Sequence, residues 1–437
     1  MVKNKKILKS LLYLFLANPV FLAAIICAFL FYFDIVSIKD RECFNCLFPS
    51  EKIVQLNGSL ASSPVKSSSE KKYYVADFKV SEAVLDNSSK TACSGTVKVL
   101  IPSELVEKYY PGKIYTSFNV SKNEKKYPLL FETGNNFLVN VNFSEDENFS
   151  FFVVKSAVSF GFSQSFSGFL QKIRSLCRLQ FKRLMYGWNE AGGLLLALLS
   201  GSREYTETLT GEAFKNAGLS HILALSGMHL NLFGGIAFFL GKRLAKRSTA
   251  DFFQLAAIIF FVWFAGLSPS LFRAMLSSLI VFFNSSLRMR RFKGITVLSA
   301  SFLLQLMIFP VHLKSPAFML SYGALAGIMS IGQVIKFFMG KRFFPKLASA
   351  LSESAGAQIF TAPVTLSLFG KVMPVGIISS VILSPFVIFF LYAGLFGTLL
   401  SLVIPFLGGG FSVIMNAVYL ILKNLVLFFA KAPIITI

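Results

Sequence analysis

Residues 11–33 read LLYLFLANPVFLAAIICAFLFYF, a stretch without a single charged side chain. About 20 apolar residues are enough to cross the hydrocarbon core of a bilayer as one helix. Lys3, Lys5, Lys6 and Lys9 precede it. A cleaved signal peptide is the rival reading, but the apolar stretch is too long for one and no small-x-small cleavage site follows. The expectation is a retained anchor with its N-terminus in the cytoplasm. The whole chain supports the same solvent. Of 437 residues, 54% are apolar and the mean hydropathy is +0.64, well above soluble domains. The 50 phenylalanines read as lipid-facing bulk.

Behind the anchor the pattern changes. Over residues 34–157, Val97, Val99 and Ile101 alternate with polar neighbours, as do Phe137, Val139, Val141 and Phe143. Tyr73–Val84 and Ile114–Val120 add two further β-like runs. Alternation with a period of two, broken by Gly, Pro and Asn, predicts a small antiparallel barrel or sandwich of five or six strands, which fits an OB-like barrel. The net charge of +22 does not sit in this segment. Residues 34–165 hold 15 basic and 15 acidic groups, whereas 166–437 hold 24 and 6. The β segment is therefore not a basic nucleic-acid binder by charge.

Residues 166–188 have the spacing of an amphipathic helix lying in a membrane interface. Lys172, Arg174, Arg178, Lys182 and Arg183 lie off its apolar face. They read either as an anchor to lipid phosphates or as a basic collar that guides a polyanion. Ala191–Ser200 is apolar but only about 15 Å long as helix, which suits a re-entrant or buried segment. From Leu219 onward the expected membrane spans are 219–241, 252–267, 270–287, 294–311, 316–337, 349–369 and 373–396, with one or two more to 430. Loops 242–247, 288–293 and 336–346 carry twelve Lys/Arg between them, against Lys314 and Lys371 in the alternate loops. This asymmetry puts the basic loops in the cytoplasm and the 34–157 domain outside. The resulting division is 1–33, cytoplasmic N-terminus and first transmembrane helix; 34–157, extracytoplasmic OB-like domain; 158–218, interfacial and short linking helices; and 219–437, multi-helix membrane domain.

Cys43, Cys46 and Cys93 fall in the outside domain, where oxidation is permitted. One disulfide is expected, Cys46–Cys93 or Cys43–Cys93. Cys43-x-x-Cys46 without a second pair is a weak zinc signal, and neither a metal nor a cofactor is expected. Cys27 and Cys177 read as packing residues. There is no phosphate-binding loop, no H-E-x-x-H and no G-x-S-x-G. After Glu212 the only acids are Asp251 and Glu353. No catalytic residue is assigned, and the chain does not read as an enzyme.

Residues 217–230 carry the most information: AGLSHILALSGMHL. Two histidines, two serines and a glycine inside an apolar span are costly unless they face a cavity or a partner helix. On one continuous helix His221, Ser226 and His229 would share a broad face. On physics alone the segment reads equally as helix–helix glue.

The same segment resembles the signature of the ComEC competence family of DNA-uptake proteins, through Gly218, Leu219, His221, Ser226, Gly227 and His229. Upstream, Gly201-Ser202-Arg203 resembles the family's Gly-x-Arg turn. Downstream, Gly266–Ala274 resembles its Pro-Ser-x-x-Arg-Ala stretch, ending in Arg273 and Ala274. Ser315–Tyr322 resembles its Phe-Gln-Leu-Ser segment and contains Ser321. Order and spacing agree across about 160–400. Met319 stands where the family usually has Gln, and Ser380 near where an Asn precedes a helical proline, here Pro385. The sequence ends at Ile437 without the metallo-β-lactamase-like nuclease domain of many members, so strand degradation would fall to another protein.

The resemblance implies a multi-pass protein of the bacterial cytoplasmic membrane that passes single-stranded DNA inward. It implies a path lined or shaped by Arg203, His221, Ser226, Gly227, His229, Arg273 and Ser321. Its implied partners are single-stranded DNA, membrane lipids, a competence ATPase, a DNA receptor and a separate nuclease, with oligomer formation left open. Two other readings stand beside it. One is a transporter of a non-DNA solute or lipid on the same scaffold. The other is a membrane-embedded hydrolase using Ser226 and a histidine, for which no carboxylate is placed to orient the base.

Overall fold

A computed structural model describes residues 18–33, 35–36, 44–67, 72–109, 126–146, 149–244, 247–287, 292–339 and 344–436. The chain is mostly helical, with one mixed sheet, and it divides into two compact units. One comprises Lys39–Leu196 with Ser202–Tyr205; the other comprises Met1–Ile38, Ala197–Gly201 and Thr206–Ile437. Residues 1–17, Cys43, the β-like run 114–120 and much of the three basic loops lie outside the described residues.

The first unit is built on seven strands: β1 (Ile53–Leu60), β2 (Val65–Lys66), β3 (Tyr73–Leu85), β4 (Lys90–Ala92), β5 (Thr96–Pro102), β6 (Asn135–Asp146) and β7 (Phe149–Phe162). The period-two pattern decides which face is buried. Val97, Val99 and Ile101 of β5 point inward with Phe137, Val139 and Val141 of β6, around Leu56, Tyr74 and Phe78. β1 pairs antiparallel with both β3 and β6. β6 continues antiparallel to β7, β7 lies parallel to β5, and β5 is antiparallel to β3. The pairing path thus leaves β1 on one side and returns to it on the other. Register shifts in β1 and between β6 and β7 mark bulges, the usual means of bending strands. A short helix α2 (Ser103–Val106) follows β5, and Glu107 behind it accepts a hydrogen bond from buried Tyr74 at 2.7 Å.

Cys46 and Cys93 form a disulfide, and the backbones of Asn45 and Ser94 pair beside it. It pins the segment before β1 to the turn after β4. Helices α3 (Phe166–Gly187) and α4 (Asn189–Ser200) follow β7.

Among the described residues, the second unit is all helix apart from one two-stranded ribbon. It holds α1 (Pro19–Tyr32), α5 (Thr208–Asn216), α6 (Ser220–Leu223), α7 (Gly227–Leu244), α8 (Arg247–Ala265), α9 (Pro269–Ser286) and α10 (Gly294–Ile308). Then come α11 (Pro316–Gly327), a π-helical turn (Ile328–Gly332), α12 (Gln333–Met339), α13 (Pro345–Phe369), α14 (Gly376–Val403) and α15 (Leu407–Ala430). Several starts share one device, a capping side chain followed by proline at the first helical position. Asn18 caps α1, Ser268 caps α9 and Ser315 caps α11. Among the described residues, three helices are long and apolar enough to cross a membrane: Pro316–Met339, Gly376–Val403 and Leu407–Ala430. Pro19–Phe31, Thr249–Ala265 and Gly294–Ile308 are apolar but shorter. At the π-helical turn α13 comes very close, since a Cβ on Gly356 would lie 2.6 Å from Gly332 N. The ribbon β8 (Lys371–Val372) and β9 (Ile435–Thr436) joins the start of α14 to the end of α15.

The single span expected over 219–241 is two helices. α6 ends at Leu223, Ala224 is extended, and the chain restarts at Gly227. Consequently His221 and His229 do not share a helical face.

The disulfide spans a sequence separation of 47 residues, for which chain entropy alone gives about 4 kcal/mol of stabilisation. Thermal melts of the full chain in detergent, with and without reductant, are expected to show the β unit melting earlier when reduced. The double variant Cys46→Ser/Cys93→Ser is expected to behave as the reduced wild type and to lose its sensitivity to reductant.

Candidate functional site

Ser226 creates the break between α6 and α7. Its Oγ accepts from Met228 N at 3.3 Å and its carbonyl accepts from His229 N at 3.1 Å. Its own N–H donates to His229 Nδ1 at 3.2 Å. A serine that satisfies the first backbone N–H groups of a helix favours a restart over continuation. The bend is held to the next helices by Ser270 of α9, whose hydroxyl donates to Leu225 O at 2.7 Å.

Gly227 opens α7 against α9. A Cβ built there would lie 3.3 Å from Arg273 Nη2 and 3.4 Å from Ala274 Cβ. Arg273 is buried, and its guanidinium lies 6.0 Å from the centroid of the Tyr322 ring on α11. Tyr322 donates to Gln305 Oε1 at 3.0 Å, and the Gln305 amide donates to Pro269 O at 3.1 Å. His312 Nδ1 lies 3.1 Å from Gln305 Nε2. Ser270 and Pro269 at the start of α9 thus tie the α6–α7 break to a network of Gln305, His312 and Tyr322, and Arg273 of the same helix lies between Gly227 and the Tyr322 ring.

This arrangement gathers Ser226, Gly227, His229 and Arg273. It leaves out His221, which is exposed on α6, and Ser321, which is half-buried and makes no side-chain link to the network among the described residues. Arg203 is exposed in the Ser202–Tyr205 segment of the β-containing unit. Gln305, His312 and Tyr322 were not among the site residues legible from the motifs. A lone glutamine inside the apolar run of α10 is the signal that points to Gln305, because an uncompensated amide there is costly.

Gly218 has a different role from its motif neighbours. Its φ is +73°, and a Cβ there would lie 2.6 Å from Gly376 Cα at the start of α14. Ser379 donates to Ala217 O at 2.7 Å across the same contact. The glycine is therefore a packing requirement.

The five basic residues of α3 do not form an open collar. Ser175, Arg178, Lys182 and Met185 form the helix's buried stripe, while Phe166, Phe169, Leu170 and Leu176 are exposed. Arg178 Nε donates to Glu132 Oε1 at 3.3 Å, and Lys182 Nζ lies 2.9 Å from Glu204 Oε1 and 3.8 Å from Glu132 Oε1. Arg183 donates to Tyr109 O from Nε at 3.3 Å and Nη2 at 3.2 Å. Arg174 is half-buried, and Lys172 is the exposed member of the five. Sequence alone could not show the reason, which is that Glu132 and Glu204 are distant in the chain and neutralise the cations. Burial pushes the Glu132 carboxyl up, but Arg178, Lys182, the Ser63 hydroxyl and Arg174 together outweigh it and hold it below the ordinary carboxylate value. Burial, then the neighbouring Arg178 charge, lowers Arg174, against Glu132.

A family model described as "Competence protein" matches residues 198–437, which contain the whole network of the helical unit. The chain belongs to the competence protein family. Among its competence-family relatives are the ComE operon protein 3 of Bacillus subtilis, 27% identical over 209 residues, and the Recombination protein 2 of Haemophilus influenzae, 26% identical over 214. A protein of Aquifex aeolicus is 33% identical over 206 residues. The matches take in 47%, 46% and 47% of this chain respectively, but only 26%, 27% and 46% of the relatives' own lengths. No solved structure matches the chain.

Glu132→Ala, which removes the carboxylate that buried Arg178 bonds and Lys182 approaches, is expected to destabilise the β-containing unit by about 3 kcal/mol in denaturant melts. Because the folded-state pKa of Glu132 lies below its unfolded value near 4.5, its contribution is fully present above that value and is lost as pH falls through the folded pKa. Glu132→Gln is expected to flatten that acid-side loss in melts run from pH 7 downward. Gly218→Ala combines a disfavoured φ with a backbone clash. It is expected to lower the melting temperature of the helical unit, whereas Gly409→Ala, where an added Cβ meets nothing within 4 Å, leaves it unchanged.

Proposed function

We propose that the chain is a multi-pass protein of the bacterial cytoplasmic membrane that carries single-stranded DNA inward during natural transformation. The observation that carries the reading is a competence-family helical unit whose motif residues converge on a buried arginine with no acidic partner among the described residues. Three long apolar helices and three shorter ones support a multi-pass arrangement. The twelve-to-two distribution of basic residues between alternate loops supports a β-containing domain on the outer side. The strand-pairing path that returns to β1, with β5 parallel to β7, supports an OB-like barrel there. The exposed apolar residues of α3 suit contact with the lipid interface, and the inward turn of its cations argues against a collar. A competence ATPase and a DNA receptor are partners that suit this role.

The Ser226 Oγ to His229 Nδ1 distance of 3.3 Å keeps a hydrolase reading in view. It is the weaker one. His229 Nδ1 already accepts from Ser226 N–H, and among the described residues no carboxylate meets Nε2.

The test is complementation of a transformable host lacking its own uptake protein, scored by labelled DNA reaching the cytoplasm. Wild type is expected to restore uptake, and Arg273→Gln to reduce it about tenfold or more at equal membrane abundance. A wild-type protein that is present in the membrane and restores no uptake would overturn the import reading in favour of a non-DNA solute.

A further inference from the structure

The first turn of α7 gathers hydrogen-bond donors that the fold leaves without acceptors. Arg273 is 7% exposed and its Nε has no hydrogen-bond partner. His229 is 1% exposed, and its Nε2 likewise has none. The tautomer follows from the contacts. Nδ1 accepts the Ser226 N–H, so in the neutral ring the proton resides on Nε2, and the orphan is a donor. His229 lies in the first turn of the 18-residue helix α7, the end at which the backbone dipoles present positive charge, and Arg273 reaches that turn from α9. A Cβ on residue 227 would lie 3.3 Å from Arg273 Nη2, so the missing side chain eases the approach of the guanidinium.

Leaving buried donors unmade is costly, and more so for a charged one. The cost falls away when an acceptor-rich anion enters. A guanidinium and an imidazole N–H offer donors, the helix N-terminus adds positive potential, and none of them brings negative charge. That set suits a tetrahedral oxyanion with several acceptor oxygens, and it disfavours cations.

We propose that the α7 N-terminal turn, His229 Nε2 and Arg273 form a binding site for a phosphodiester group. A nucleic-acid backbone and a phospholipid headgroup share this chemistry. With the nucleic acid as ligand, the site rests on the import reading above and gives the passing strand a backbone contact that does not depend on base sequence.

The test uses the full chain in a phosphate-free detergent at moderate salt. Probes are a fluorescent oligothymidylate, the same oligomer with uncharged methylphosphonate linkages, and short-chain phosphatidylglycerol. Wild type is expected to bind at least one phosphodiester probe, and to bind the oligothymidylate about tenfold or more tightly than its methylphosphonate counterpart. Inorganic phosphate is expected to compete. Arg273→Gln and His229→Phe are each expected to weaken phosphodiester binding about tenfold. Arg273→Lys, which keeps the charge and lets the helix insert, is expected to recover part of it. Binding that Arg273→Gln and Arg273→Lys leave at the wild-type level would overturn the site. So would a wild type that binds no phosphodiester probe. Phosphatidylglycerol binding that depends on Arg273, with no binding of oligothymidylate, would keep the site, assign it to lipid and count against DNA import.

Discussion

Burying a guanidinium without an opposing carboxylate is the most expensive arrangement in the helical unit, and its neighbours are disposed to make it tolerable. Tyr322 offers a ring face, Gly227 withholds a side chain, and Ser226 breaks the preceding helix so that the start of α7 stands beside α9. Gln305 then fixes Tyr322 and ties the start of α9 to the segment around His312. Removing the arginine would leave these features without a common purpose, since none of them is needed to pack apolar helices against each other.

The β-containing unit handles buried cations in the opposite way. Arg178 and Lys182 are matched by Glu132 and Glu204, and the helix that carries them turns its charges inward and its phenylalanines outward. The two treatments divide the basic residues of one chain by role. Compensated cations hold an element in place. An uncompensated one remains able to attract a further negative group, because no local partner has cancelled its field.

Much of the architecture was legible in the residues. Alternation in Val97–Ile101 and Phe137–Val141 marks strands whose buried faces are those of the observed sheet, and the apolar runs mark the helices. The break at Ala224–Ser226 was not legible, because Leu-Ala-Leu-Ser has no proline and reads as continuous helix. It arises from a serine whose hydroxyl and carbonyl take up nearby N–H groups, a local competition that hydropathy does not register. The motif located Ser226, Gly227, His229 and Arg273 but could not separate Gly218, which is fixed by backbone packing, from residues that carry polar groups. The contacts of the basic residues on α3 were not legible for a related reason. Periodicity identifies two faces of a helix but not which of them meets the protein, and Glu132, 46 residues before Arg178, decides that.

The ribbon between Lys371–Val372 and Ile435–Thr436 has a topological consequence. It closes α14 and α15 into a loop whose entrance and exit are stitched together. In a bilayer such a loop makes a round trip, so its two ends share one leaflet whichever leaflet that is. The pair contributes no net change of side. The parity of every preceding helix stays as it was.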